Sequence, residues 1–379
     1  MSADQDKVVR LEAARGLAAL VVFIHHFFVA FAPAVPGYLV EDRESGSLLG
    51  GWYFFLFNGE AAVIFFFVLS GYVLCIKPLG SGDAAYIKLS LLRRWPRLVP
   101  LVTMSVLLSW ACHASGLYFF QDAVRLSKTH WLEGWNLDVI NPSFLDALWQ
   151  GSFAVFFTGE TYLNTNLWTM KREIIGSLYV FAMSALMLSR QRHVIFSIIL
   201  VLLATAGLRN ALFPFLLGFL LALISLKRKP VLAWPFRLGM LCLALYMLGY
   251  KEPVGDYSWV ANMAGHGYLV HRLMLPLGGG VLLLYLLSGR VWHWLDGGLG
   301  RWFGELSFPF YVMHIIVIWS WSSWVYTVAQ LPLAVNLVSS LMLTLLICIP
   351  LMWIDRKWVA FLKEKTRHIG LGQLAELRR

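Results

Sequence analysis

Runs of about twenty apolar residues return along the whole of this chain, and a helix of that length crosses a bilayer core about 30 Å thick. Backbone N–H and C=O groups find no water in lipid, so only helices and closed barrels cross it. The runs are continuous rather than alternating at period two, which excludes the barrel. Composition agrees: 59% of the 379 residues are hydrophobic, 14% are charged and the mean hydropathy is +0.68. That is too little polar surface to cover a water-soluble globule of this size. The expected fold is all-α, a polytopic bundle of about ten transmembrane helices.

The spans are expected at 9–32, 52–76, 98–120, 165–189, 193–207, 209–226, 232–250, 267–288, 303–328 and 332–354. The fifth and sixth are short, and Gly207, Leu208, Arg209 and Asn210 leave room only for a tight turn between them. Residues 1–355 form the transmembrane domain. Residues 356–379 form a basic tail in which Leu362, Leu371 and Leu374 mix with cations, a surface helix along the inner leaflet. Counted over alternate connections, 22 basic residues fall on the side of Lys7 and Arg10 and five on the other. The positive-inside rule then puts both termini in the cytoplasm of a cell (inner or plasma) membrane. It also accounts for the net charge of +10 without any nucleic acid.

Arg15 and two histidines interrupt the first apolar run, so it is read as a retained helix rather than a cleaved signal. Cys75, Cys112, Cys242 and Cys348 lack metal-ligand spacing and read as small packing residues; no metal is expected. The longest connection, 121–164, carries Trp131, Trp135 and Trp149 and suits a folded cap on the outer face. The loop 251–265 is a second lid on the same side.

Ionisable groups inside a span are costly and mark polar cavities or pathways. Eleven steps from Arg15 to His26 turn through roughly 1100°, which sets both on one helical stripe about 16 Å apart. His25 faces elsewhere and reads as a hydrogen-bonded core residue. A neutral imidazole at mid-membrane is a natural general base, which assigns that role to His26. An Arg near the inner interface and a His near mid-membrane suit a ligand with a charged head and a long reactive arm, the shape of coenzyme A. Arg94 and Arg97 lie one turn apart at the inner entrance of the third span. They read either as a bidentate phosphate clamp or as a positive-inside anchor. Glu173 needs a partner, which could be Lys171, Arg172 or a histidine from another helix. His314, and more weakly His271 and Arg272, are further candidates for a cavity role.

In order along the chain these stretches resemble the acyltransferase-three family of integral membrane O-acyltransferases, over nearly the full length from Leu11 to about Leu351. Leu11 to Leu20 resembles the family's start, with an Arg ten residues before a His, here Arg15 and His26. Phe65 to Tyr72, containing Ser70 and Gly71, resembles its most recognisable signature. The family's Arg-x-x-Arg falls on Arg94 and Arg97, its tryptophan-containing stretch on Trp168 to Glu173, and its penultimate-helix motif on Ser307 to His314, through Tyr311. The resemblance implies transfer of acetyl or a related acyl group from cytoplasmic acyl-CoA, with acetyl-CoA the expected donor, to a hydroxyl of a carbohydrate or a cell-envelope or exported polysaccharide. It implies catalytic roles for His26, Glu173 and Arg15, and donor binding by Arg94, Arg97 and Arg15. The chain departs from the pattern at Glu12 (usually Asp), Thr169 (usually Ser) and Lys171-Arg172, where small or neutral residues are common. The competing class is a transporter or flippase of a sugar-linked lipid, since such pathways also carry mid-membrane polar groups. The sequence leaves open the acceptor, the oligomeric state, the choice between direct transfer and an acyl-enzyme, and whether His314 is catalytic or structural.

Overall fold

The computed structural model describes residues 3–38, 47–129, 131, 137–189, 212–227, 231–264, 267–289 and 293–367. Among these residues the chain is helical with no strand. The principal helices, in chain order, are α1 (Ala3–Phe31), α2 (Gly59–Ser81), α3 (Ala84–Ala114), α4 (Phe120–Ser127) and α5 (Phe144–Phe157). They continue as α6 (Trp168–Met187), α7 (Phe213–Lys227), α8 (Trp234–Gly249), α9 (Gly267–Leu287), α10 (Gly298–Thr327) and α11 (Leu333–Lys365).

Among the described residues, five helices are long and apolar enough to cross a membrane: α1 from Val9, then α2, α3, α10 and α11. Helices α5, α7, α8 and the Arg272–Leu287 part of α9 are apolar but shorter. The expectation of ten full spans is therefore met only in part, and the span at 193–207 with its turn lies outside the described residues. The connection 121–164 contains α4, α5 and a short helix, Leu137–Ile140.

Helix ends depart from the expected spans where capping outweighs hydropathy. The second helix starts at Gly59, not 52, because Asn58 caps it by accepting from the Ala61 N–H at 3.1 Å. Residues Trp52–Leu56 form a separate 3-10 turn. The third starts at Ala84, well before the expected 98, because Asp83 accepts from Ala85 N–H at 2.8 Å. It then runs through Pro96 and Pro100. Proline has no N–H, so Pro100 leaves the Pro96 carbonyl without its helical donor. The Trp358 indole N–H fills that vacancy at 2.7 Å and ties α3 to α11. Helix α11 continues unbroken past the expected end at 354 to Lys365.

Helices α1 and α10 pack along most of their length and run parallel, since Glu12 meets Gly304, Gly16 meets Phe303, and His26 meets His314. The approach is close enough that a β-carbon on Gly16 would overlap the Phe303 carbonyl. Small residues serve this purpose at helix contacts in lipid, where van der Waals packing replaces the hydrophobic effect. Arg10 anchors the start of α1. It makes a bidentate pair with Asp296 (2.8 and 2.7 Å) and donates to the carbonyls of Leu286, in the last turn of α9, and Gly289 just after it. A cation satisfies the unpaired carbonyls that a helix C-terminus leaves.

Gly71 plays the same role between α2 and α7: its β-carbon would fall on the Phe215 carbonyl, and one on Gly218 would fall on that of Val68. Gly239 in α8, by contrast, faces open space. Gly71→Ala is accordingly expected to destabilise the protein by about 1–3 kcal/mol through overpacking. Gly239→Ala should be neutral or stabilising by up to about 1 kcal/mol. Thermal unfolding of the two purified variants checks the difference in sign.

Candidate active site

Two connected cavities occupy the end of the bundle where both described chain ends lie. The outer one, about 650 Å³, is lined from four helices by Glu12 and Arg15 of α1, Arg97 of α3, Arg301 and Glu305 of α10, and Asp355 and Lys363 of α11. The deeper one, about 190 Å³, is lined by Arg15, Ser70, Arg94, Arg97, Glu173 and Tyr311, with apolar walls from Phe66, Phe67 and Phe308. Arg15, Arg97, Ser307 and Phe308 border both, so they form the neck between vestibule and inner cavity.

The carboxylate of Glu173 is the polar centre of the inner cavity. Its partner is Arg94 of α3, not Lys171, Arg172 or a histidine. Ser70 Oγ donates to the same carboxylate oxygen at 2.6 Å, and Arg94 Nε donates to Ser177 Oγ at 2.7 Å. The alternatives fail on geometry, because residues one and two places before Glu173 project about 100° and 200° around the helix. Lys171 donates to the Thr158 carbonyl at 3.0 Å, and Arg172 lies over the half-exposed Trp168 ring at 4.5 Å. Trp168 is thus at the flank and outside the cavity lining. Arg97 makes a bidentate pair with Asp355 at 2.5 and 2.8 Å, and Arg15 pairs with Glu12 at 2.6 Å. Both members of the Arg-x-x-Arg pair face the cavity, and each already holds a carboxylate.

Tyr311 lines the inner cavity and does not border the vestibule. Its hydroxyl lies 2.8 Å from Thr169 Oγ1 and donates to the Asn166 carbonyl at 3.1 Å, while Asn166 Nδ2 donates back to the Tyr311 carbonyl at 2.6 Å. This reciprocal clasp fixes α10 against the entrance to α6. Beyond it, 6.0 Å from the Tyr311 ring, lies His314, which is fully buried.

His26 Nδ1 and His314 Nε2 are 2.9 Å apart with rings tilted by only 10°, and Trp131 stacks on His26 at 4.9 Å. The acceptors fix the tautomers. A carbonyl can only accept, so His314 Nδ1, 3.2 Å from the Phe310 carbonyl, carries a proton. With both rings neutral, His314 Nε2 is then the acceptor and His26 Nδ1 the donor, which leaves the His26 Nε2 lone pair unprotonated. His25 is used differently. It donates from Nδ1 to the Phe57 carbonyl at 2.7 Å, and its Nε2 lies 3.4 Å from the Tyr38 hydroxyl.

The structure therefore gathers Arg15, Ser70, Arg94, Arg97, Glu173 and Tyr311 around one cavity, and pairs His26 with His314 next to Tyr311, outside the cavity lining. Gly71 serves helix packing. Arg272 lines neither cavity. Sequence reasoning missed Asp355, Ser177, Asn166 and Trp131. Asp355 had a readable signal, as a carboxylate at the basic end of the last span, whereas Trp131 had none beyond its place in the cap.

A charged vestibule, a narrow cavity around the Arg94–Glu173 pair and a histidine pair inside a bundle of apolar helices suit a multi-pass membrane protein that acts on a bound substrate. Residues 8–353 match the family described as an acyltransferase domain. The chain belongs to the acyltransferase-three family and is a membrane acyltransferase. Comparisons with curated proteins and with solved structures each found no match.

Proposed function

We propose that the protein transfers an acetyl or related acyl group from acyl-CoA to a hydroxyl of a carbohydrate or cell-envelope polysaccharide. The observation that carries this reading is the axial series along α1 and α10: cationic vestibule, narrow cavity, histidine pair. Coenzyme A presents the matching series in one molecule, with phosphates, then a neutral arm, then a thioester. The basic residues of the connections support a cytoplasmic vestibule, where acyl-CoA is available.

In the reaction, His26 Nε2 accepts the proton of the acceptor hydroxyl as its oxygen attacks the thioester carbonyl. The tetrahedral intermediate collapses with cleavage of the C–S bond, and the leaving thiolate takes the proton back from His26. His314 holds the His26 ring in the productive tautomer and shares the positive charge that develops on it, the part that a carboxylate plays beside a catalytic histidine elsewhere. Glu173, held by Arg94 and Ser70, shapes the cavity wall and acts as a positioning residue; Arg15 at the neck orients the donor.

The test is release of free CoA from acetyl-CoA by the purified protein in detergent, with and without a polysaccharide extract. Acceptor-dependent release supports the reading, and its absence from folded protein would sink it. In the same assay His314→Ala should fall between wild type and His26→Ala, because it removes the orienting partner and keeps the base. Equal loss in both variants would make His314 a direct participant.

A further inference from the structure

We infer that Arg301 and Lys363, rather than Arg94 and Arg97, supply the cationic contacts to the phosphate groups of the acyl donor; this rests on the acyl-CoA reading above. The vestibule wall carries five cationic side chains, Arg15, Arg97, Arg301, Arg356 and Lys363, and three carboxylates, Glu12, Glu305 and Asp355. Each carboxylate is committed. Glu12 holds Arg15 at 2.6 Å, Asp355 holds Arg97 through two bonds, and Glu305 lies 3.6 Å from Arg356. Arg94 is deeper and bound by Glu173. Among the described residues, no carboxylate lies within ion-pair distance of Arg301 or Lys363.

The choice between the two pairs follows from what each would have to give up. A phosphate reaching Arg97 meets a guanidinium whose charge Asp355 already balances through two hydrogen bonds and whose carboxylate partner repels the newcomer, and Arg94 raises the same obstacle with Glu173. Arg301 and Lys363 keep their charge free, and two uncompensated positive charges facing one cavity match a dianionic phosphate or a diphosphate. They come from different helices, α10 and α11, and line one volume large enough for a nucleotide. From there the neck at Arg15 and Ser307 leads inward, so a donor anchored at this pair would thread its uncharged arm toward Tyr311 and the histidines.

The experiment measures CoA binding to the full-length protein in detergent for wild type, the double variant Arg301→Gln/Lys363→Gln, and Lys357→Gln. Lys357 sits at the same end of α11, over the Trp353 ring at 4.2 Å, and does not line the vestibule, so it controls for the loss of general positive charge. Both target residues are exposed, and unchanged melting temperatures would establish that the variants fold. The double variant should bind CoA about tenfold or more weakly. Lys357→Gln should bind it as wild type does, and the affinity for pantetheine, which lacks phosphate, should be equal in all three.

Equal CoA affinity in the wild type and the double variant would overturn this assignment while leaving the acyltransferase reading intact. No CoA binding by the wild type would overturn that reading itself. A parallel titration with phosphatidylglycerol separates the two sources of phosphate. If the pair governs lipid binding and leaves CoA affinity untouched, the site belongs to a membrane headgroup and the proposal fails.

Discussion

His26→Ala is expected to lower acceptor-dependent CoA release by about a thousandfold, the middle of the range for loss of a general base. Acyl-CoA affinity should change little, because His26 lines neither the vestibule nor the inner cavity that would hold the donor. The loss should therefore fall on kcat with KM preserved, the pattern of an interaction made in the transition state. Folding should persist. The substitution removes a ring that stacks on Trp131, and it leaves His314 Nε2 an unpaired acceptor, costing about 1–3 kcal/mol by itself. Wild-type turnover in the variant would rule out any proton-transfer or acyl-carrying role for His26. A raised KM with normal kcat would instead place His26 in donor binding.

Glu173→Gln is expected to damage stability more than any other single change at the site. Both partners of the Arg94–Glu173 pair have less than a fifth of their side-chain surface exposed. Neutralising one leaves the other as an uncompensated charge, and breaking a buried pair this way costs about 3–5 kcal/mol. Ser70 adds to the effect, since its hydroxyl loses a charged acceptor. A second variant separates lost charge balance from lost catalysis. Arg94→Met/Glu173→Leu removes both charges, and replacing a buried pair by apolar side chains is often near neutral. Thermal unfolding should thus show a large drop for Glu173→Gln and substantial recovery in the double variant, with activity restored in neither. A Glu173→Gln protein as stable as wild type would mean that Arg94 does not depend on that carboxylate.

Hydropathy made the helices legible, and the order of Arg15, His26, Ser70, Arg94, Arg97, Glu173 and His314 made the site legible, because burying such groups in apolar helices requires a reason. What hydropathy reports is the cost of desolvation, and it is silent on hydrogen-bond geometry. Asp83 starts α3 far outside the apolar stretch, and α11 continues well into charged sequence, because caps and i→i+4 bonds do not depend on lipid. The partner of Glu173 was misplaced for a related reason. Local sequence offers Lys171 and Arg172 as neighbours in the chain, while the neighbour in space is on α3, 79 residues away. The indole of Trp358, which completes α3 at a proline 262 residues distant, is another contact that no single stretch could announce.

That His314 stands within a helix, four residues after Phe310, has a consequence for which imidazole is basic. In any helix the carbonyls point toward the C-terminus, so the acceptor within reach of His314 Nδ1 is the one four residues earlier, Phe310. That bond hands the acceptor role to His314 Nε2 and the free lone pair to His26. The polarity of the pair is thus inherited from the internal geometry of the α10 helix, and not chosen by a third side chain. Because His314 and Phe310 turn together with their helix, this bond would survive any reorientation of α10, and the tautomer needs no further polar residue buried at mid-membrane to specify it.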